Sequence, residues 1–147
     1  MGFRRAEAVP KRFAVQCRLQ RCIYNDTVLG VTLPTLAVRF FRSSQGNEPV
    51  REWLRSLSST DRKLLGEEIR TVQLGWPIGM PVVRKLETDL WEIRVRVKNG
   101  IARVLFTIEA QEVILLHGFI KKSQKIPADE LHTAQVRLKQ LRDARRR

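Results

Sequence analysis

The residues best able to do chemistry in this chain are basic, and they fall into two clusters. Arg94, Arg96 and Arg103 lie in the segment WEIRVRVKNGIARVLFTI, Trp91–Ile108, and Lys121, Lys122 and Lys125 follow in HGFIKKSQK. Guanidinium groups make planar, multi-donor contacts to phosphate, and ammonium groups act as mobile point charges. The two clusters together describe a surface for a phosphate-bearing polyanion. Phe119 adds an aromatic ring on which an unstacked base can rest. Each residue also has an ordinary reading: loop lysines are commonly solvated, Phe119 suits a core, and Glu92 can neutralise one strand arginine. His117 is one of two histidines and the one that falls in a strand pattern, where a lone His is more often structural than catalytic; His132 reads as helix surface. No paired carboxylates, Ser-His-Asp set or phosphate-cradling loop stands out, and Gly75–Gly79, around Trp76-Pro77, is a turn. Cys17 and Cys22 are the only cysteines. Without further Cys or a nearby His they make a poor zinc set and read as free thiols, so neither metal nor cofactor is expected.

The charge balance supports an anionic partner. The 147 residues carry 28 Lys and Arg against 15 Asp and Glu, a formal net charge of +13. Such an excess favours nucleic acid or an acidic protein. No apolar run is long enough to span a bilayer and no apolar segment follows the basic N-terminus, so neither a membrane anchor nor a secretory signal is expected.

The elements that must position these residues can be read from periodicity. Residues 1–34 hold both cysteines and Tyr24 without a sustained period. They read as a basic, loosely ordered extension, or as a short strand near Val28–Leu33, ahead of a domain over 35–147. Leu36–Arg42 reads as a strand. Glu48–Leu57 reads as a helix with Pro49 in its first turn and Asn47 as cap, and Ser58-x-x-Asp61 opens a second helix running to about Leu74. Val82–Leu86, Trp91–Val97, Ile101–Ile108 and Glu112–Ile120 read as strands, the last apolar enough to be central and covered on both faces. Pro127 opens a final helix with Leu131, Ala134, Leu138 and Leu141 on one side. Runs of strands and runs of helices indicate an α+β fold, here an antiparallel meander with an N-terminal helical hairpin on its apolar face and a C-terminal helix.

Asn99-Gly100 between two alternating runs signals a two-residue type I′ turn. That register sets Lys98 against Ile101, Val97 against Ala102 and Arg96 against Arg103. Two arginines directly opposite repel by up to ~1 kcal/mol, which suits a face reserved for an anion. The face carrying Glu92, Arg94, Arg96, Lys98 and Arg103 is therefore expected to stand partly open. The side taken by His117 is left undecided: a two-residue turn at Ala110-Gln111 sets it opposite Val104, a three-residue turn opposite Arg103.

EPVREWLRSL, VQLGWPIGMPVVRKL, LWEIRVRVKNGIARVLF and LLHGFIKKSQKIP, in order over Leu36–Leu141, resemble the phage-derived branch of the HigB/RelE-like toxins of bacterial type II toxin–antitoxin modules. The resemblance implies a RelE-like α+β fold, a cytoplasmic protein, a helix-turn-helix antitoxin as partner, and ribosome-dependent endoribonuclease activity on mRNA with contacts to ribosomal RNA. Cleavage would use the RNA's own 2′-OH and so would need no metal. The resemblance makes Arg103 the first candidate for stabilising phosphate or transition state, with Arg94 and Arg96 as supporting cations. Lys121, Lys122 and Lys125 match the family's KKxxK segment and can bind phosphate or transfer a proton; His117 is a second acid–base candidate. Some RelE-type toxins use a tyrosine near the C-terminus; Tyr24 lies outside the matched region, which leaves the general base open. The alternative is a non-catalytic RNA- or DNA-binding module, or a degenerate toxin.

Overall fold

Alternation of apolar and polar residues over Val83–Ile108, then a nearly continuous apolar run from Val113, yields four successive antiparallel strands joined by turns too short for anything else. These are β2 (Val83–Glu87), β3 (Leu90–Val97), β4 (Gly100–Glu109) and β5 (Glu112–Lys121), preceded by β1 (Ala37–Phe40). The computed structural model describes residues 35–123 and 125–147; the expectations for residues 1–34, including Cys17, Cys22, Tyr24 and a strand near Val28–Leu33, fall outside the described residues. The strands form one sheet in the order β1-β5-β4-β3-β2. The meander is antiparallel as expected, but β1 joins its far edge parallel to β5, with Ala37 beside Glu112 and Phe40 beside Leu115, so the sheet is mixed. The chain between β1 and β2 consists of α1 (Pro49–Ser56) and α2 (Ser59–Gly75).

Local chemistry sets the helix boundaries. Ser58 caps α2, its Oγ accepting from the Asp61 amide at 3.1 Å, which satisfies a donor the helix cannot. Asn47 does not cap α1: Glu48 holds that position without a side-chain bond to the helix backbone, its carboxylate accepting from Arg51 at 2.8 Å, and the Asn47 amide donates to Ser43 Oγ instead. The last helix, α3 (Ala128–Arg145), follows Pro127.

The two helical layers take opposite faces of the sheet. Val50 of α1 and Leu65, Ile69 and Val72 of α2 pack with Ile93, Val95, Val104, Phe106 and Leu115. Trp76 meets Trp91 and Phe106 edge-on, with ring centroids 5.1 and 5.9 Å apart. On the other face, Ala134 and Leu138 of α3, flanked by Leu131 and Leu141, pack on Leu90, Leu105, Ile114, Leu116 and Phe119. The expectation that this second face stays partly open is therefore corrected. The apolar stripe of α3 needs a surface to bury against, and Leu90, Leu105 and Leu116 provide it.

The β3–β4 register also differs from expectation. Arg103 faces Arg94, and Arg96 faces Ile101. Lys98 and Asn99 are the two turn residues and neither has positive φ. Gly100 closes the turn at φ 144°, where a Cβ would approach the Lys121 carbonyl oxygen at 3.0 Å. Glycine in the fourth place is the preference of a type I turn, not the primed turn that Asn99-Gly100 suggested. The shift is by two residues, so every side chain keeps its face. The turn with positive φ at both central residues is Ala110-Gln111, at 50° and 63°.

Candidate nucleic-acid interface

Three rows of side chains cross the α3-facing side of the sheet. Arg96, Ile101 and Lys121 form the row nearest the β3–β4 turn; Arg94, Arg103 and Phe119 form the next; Glu92, Leu105 and His117 form the third. Strands lie ~4.8 Å apart, which puts the Arg96 and Lys121 backbones ~10 Å from each other across Ile101. Arg96, Lys98, Lys121, Lys122 and Lys125 are all exposed, and the alternation of β3 and β5 brings the first and third of these to one end of the sheet. Arg94 is half-buried, with Nη2 3.7 Å from Met80 Sδ. The cations form an end of the sheet rather than a face of it.

Arg103 is not among the exposed cations. Its side chain is 0% exposed, as is that of Glu92, with which it pairs through Nη1. Its Nη2 donates to the Ser123 carbonyl oxygen at 3.0 Å. The sequence expectation placed Arg103 on an open surface; α3 and the β5–α3 connection close over it. Phe119, expected to offer a stacking face, is 6% exposed and belongs to the core under α3. Its neighbour in space is the His117 ring, 5.7 Å away and inclined by 30°.

A bulge in β5 decides the side taken by His117. Phe106 pairs with Leu115 but Leu105 pairs with His117, so β5 carries one extra residue at Leu116. Neither regular register describes it, and Leu116 and His117 both turn toward α3. His117 Nδ1 lies 2.9 Å from Arg137 Nη1, which also reaches the Leu116 carbonyl oxygen at 2.9 Å. An Arg can only donate, so Nδ1 accepts and the ring proton sits on Nε2, which is bound to Glu130. Burial lowers the Arg137 pKa from its ordinary value, with the charge of Glu130 opposing. His117 thus ties β5 to α3 with both ring nitrogens engaged.

The opposite end of the sheet is electrostatically quiet. Arg142 reaches Glu109 and Asp89, each at 2.8 Å, and Arg145 reaches Glu112 at 2.6 Å. Arg39 of β1 also pairs with Glu112. Burial raises the Glu112 pKa, but hydrogen bonds from Arg39 and Arg145 outweigh it and the net shift is downward. The same kind of pairing raises Arg142, through Glu109 and then Asp89. At the other end, where β3 and β4 turn and β5 runs out, Arg96, Lys98, Lys121, Lys122 and Lys125 are exposed together.

Two participants were not singled out in the sequence. Glu130 and Arg137 sit on α3, and nothing in their spacing connects them to His117 until the bulge is known. The burial of Glu92 had a signal: in β3 it alternates onto the same side as Arg103, and the apolar stripe of α3 had to cover some face of the sheet.

Residues 52–139 match the family of phage-derived Gp49-like proteins (DUF891). The chain belongs to this family. It is a RelE/HigB-like family of toxins of toxin–antitoxin systems, normally paired with an antitoxin. No curated protein matches the chain. The stretch shared with the Gp49-like family begins inside α1, ends inside α3 and contains every candidate residue named above, from Arg94 to Lys125. Among the described residues no helix is long and apolar enough to cross a membrane.

Proposed function

We infer that this Gp49-like protein is the toxin of a type II toxin–antitoxin pair of the HigB kind, and that it cleaves mRNA on the translating ribosome. The observation that carries the reading is the family match over α1 to α3. The cationic end of the sheet supports it by supplying a surface for RNA phosphates, with Arg96, Lys121, Lys122 and Lys125 as contacts and Arg94 behind them. The reaction is attack of the RNA 2′-oxygen on the adjacent phosphorus, forming a cyclic phosphate and releasing the 5′-oxygen. The 2′-hydroxyl proton leaves as that bond forms, and the 5′-oxygen takes one up. Lysines beside the phosphate stabilise the charge that grows on its oxygens. The partners are a helix-turn-helix antitoxin, mRNA and ribosomal RNA, and the site of action is the cytoplasm.

The second reading is RNA binding without cleavage. It is favoured by one group of observations: Arg103 and Phe119 are buried, and the part-buried His117 has both ring nitrogens engaged, so none of these three expected contacts is free to meet RNA. Induction of the full chain in a bacterial host, with transcript 5′ ends mapped genome-wide beside the Lys122→Ala/Lys125→Ala variant, separates the two. Growth arrest with new ends inside translated regions, lost in the variant, is the expected result. Arrest without new ends rejects the nuclease. No arrest and no new ends, with soluble protein present, favours the binding module.

A further inference from the structure

Among the described residues, a costly arrangement is the buried pair under the cationic end. Glu92 and Arg103 are both 0% exposed. Only one Glu92 oxygen is used: Oε2 has no hydrogen-bond partner and lies 3.9 Å from Arg94 Nε. Removing two charges from water is expensive, and a well-packed apolar pair of similar volume is often as stable or more so. Stability alone therefore gives no account of these residues at diagonal positions on neighbouring strands.

The contact that leaves the pair supplies one. Arg103 Nη2 donates to the Ser123 carbonyl oxygen at 3.0 Å, where the backbone has just left β5 and carries Lys121 and Lys122. The contact is long-range, bridging 20 residues. The geometry points to a positioning relay: Glu92 fixes the guanidinium of Arg103, and Arg103 fixes the backbone that presents Lys121 and Lys122 to RNA. The relay rests on the proposed RNA-directed function and deepens it, giving Glu92 and Arg103 a role that needs no contact with the phosphate. A guanidinium can hold a carboxylate and a carbonyl at once through its fork of donors, which an ammonium on a shorter reach does not reproduce.

The test uses the full chain and three variants: Glu92→Gln, Arg103→Lys, and the double replacement Glu92→Leu/Arg103→Met. The double variant guards against misfolding, because it removes both charges together. The first readout is trypsin cleavage after Lys121 and Lys122, compared with cleavage after Arg84 and Lys85 on β2. The second is binding of a fluorescent single-stranded RNA at low salt. The relay predicts that cleavage after Lys121 and Lys122 accelerates about tenfold or more, while that at β2 and the cooperative melt persist. RNA affinity then falls about as far in the double variant as in Lys122→Ala. A folded double variant with wild-type trypsin and RNA behaviour overturns the relay. Failure of the wild-type chain to cleave mRNA on ribosomes would reject the nuclease instead, and leaves the trypsin comparison to decide the relay by itself.

Discussion

At Arg103 the chemistry of the residue and its surroundings pull in different directions. Its type and strand position suggest a phosphate ligand, yet Glu92 and the Ser123 carbonyl hold it out of solvent. Arg103→Met alone leaves the buried Glu92 without its direct partner, with only Arg94 Nε 3.9 Å away. It is expected to lower stability by ~3–5 kcal/mol, read as a shift of the denaturant midpoint at unchanged slope. Lys122→Ala, at an exposed position, is expected to change stability by less than ~0.5 kcal/mol in the same experiment. This contrast shows where the sequence was legible. The residue types named the chemistry, and alternation put Arg94, Arg96 and Arg103 on one face. Burial did not follow from type, because it depends on which face α3 covers. The side taken by His117 stayed open and Phe119 was expected to offer a stacking face for a related reason: a single extra residue at Leu116 re-aims both side chains, and no local pattern announces it.

At the scale of elements, the strands and helices were readable to within a residue or two because each has a period and a boundary signal: Ser58 at α2, Pro127 at α3, and alternation along β3 and β4. The parallel pairing of β1 was not readable, since it joins segments more than 70 positions apart and leaves no local trace. Two contacts between elements give predictions. The Trp53 ring of α1 rests on Gly118 of β5, where a Cβ would fall 2.3 Å from a ring carbon. Gly118→Ala is expected to cost ~1–3 kcal/mol by forcing α1 away from the sheet, measured by thermal or denaturant unfolding. At the other end, Glu112 ties β1 and α3 together through Arg39 and Arg145, and its carboxyl is held below the ordinary 4.5. A depressed carboxyl stabilises the fold at pH above its unfolded value and loses that contribution as pH falls through its folded value. The melting temperature should therefore decline as pH is lowered below about 4.5, and Glu112→Gln should start lower at neutral pH and decline less steeply over that window.

For the whole molecule, the distribution of charge matters more than its sum. The formal charge of +13 includes Arg142 and Arg145, which are paired with Asp89, Glu109 and Glu112. Among the described residues, the exposed Arg96, Lys98, Lys121, Lys122 and Lys125 gather at the end where β3 and β4 turn and β5 runs out, over a buried pair. We propose that this end brings a Gp49-like toxin to RNA within the ribosome. The most direct test is to add the purified chain to ribosomes stalled on a defined mRNA and read the 5′ ends by primer extension, with the same mRNA free in solution and with the Lys122→Ala/Lys125→Ala variant. Cuts that require the ribosome and vanish in the folded variant are the expected result. Cuts of equal strength on free mRNA, cuts that persist in the variant, or no cuts at all would contradict it.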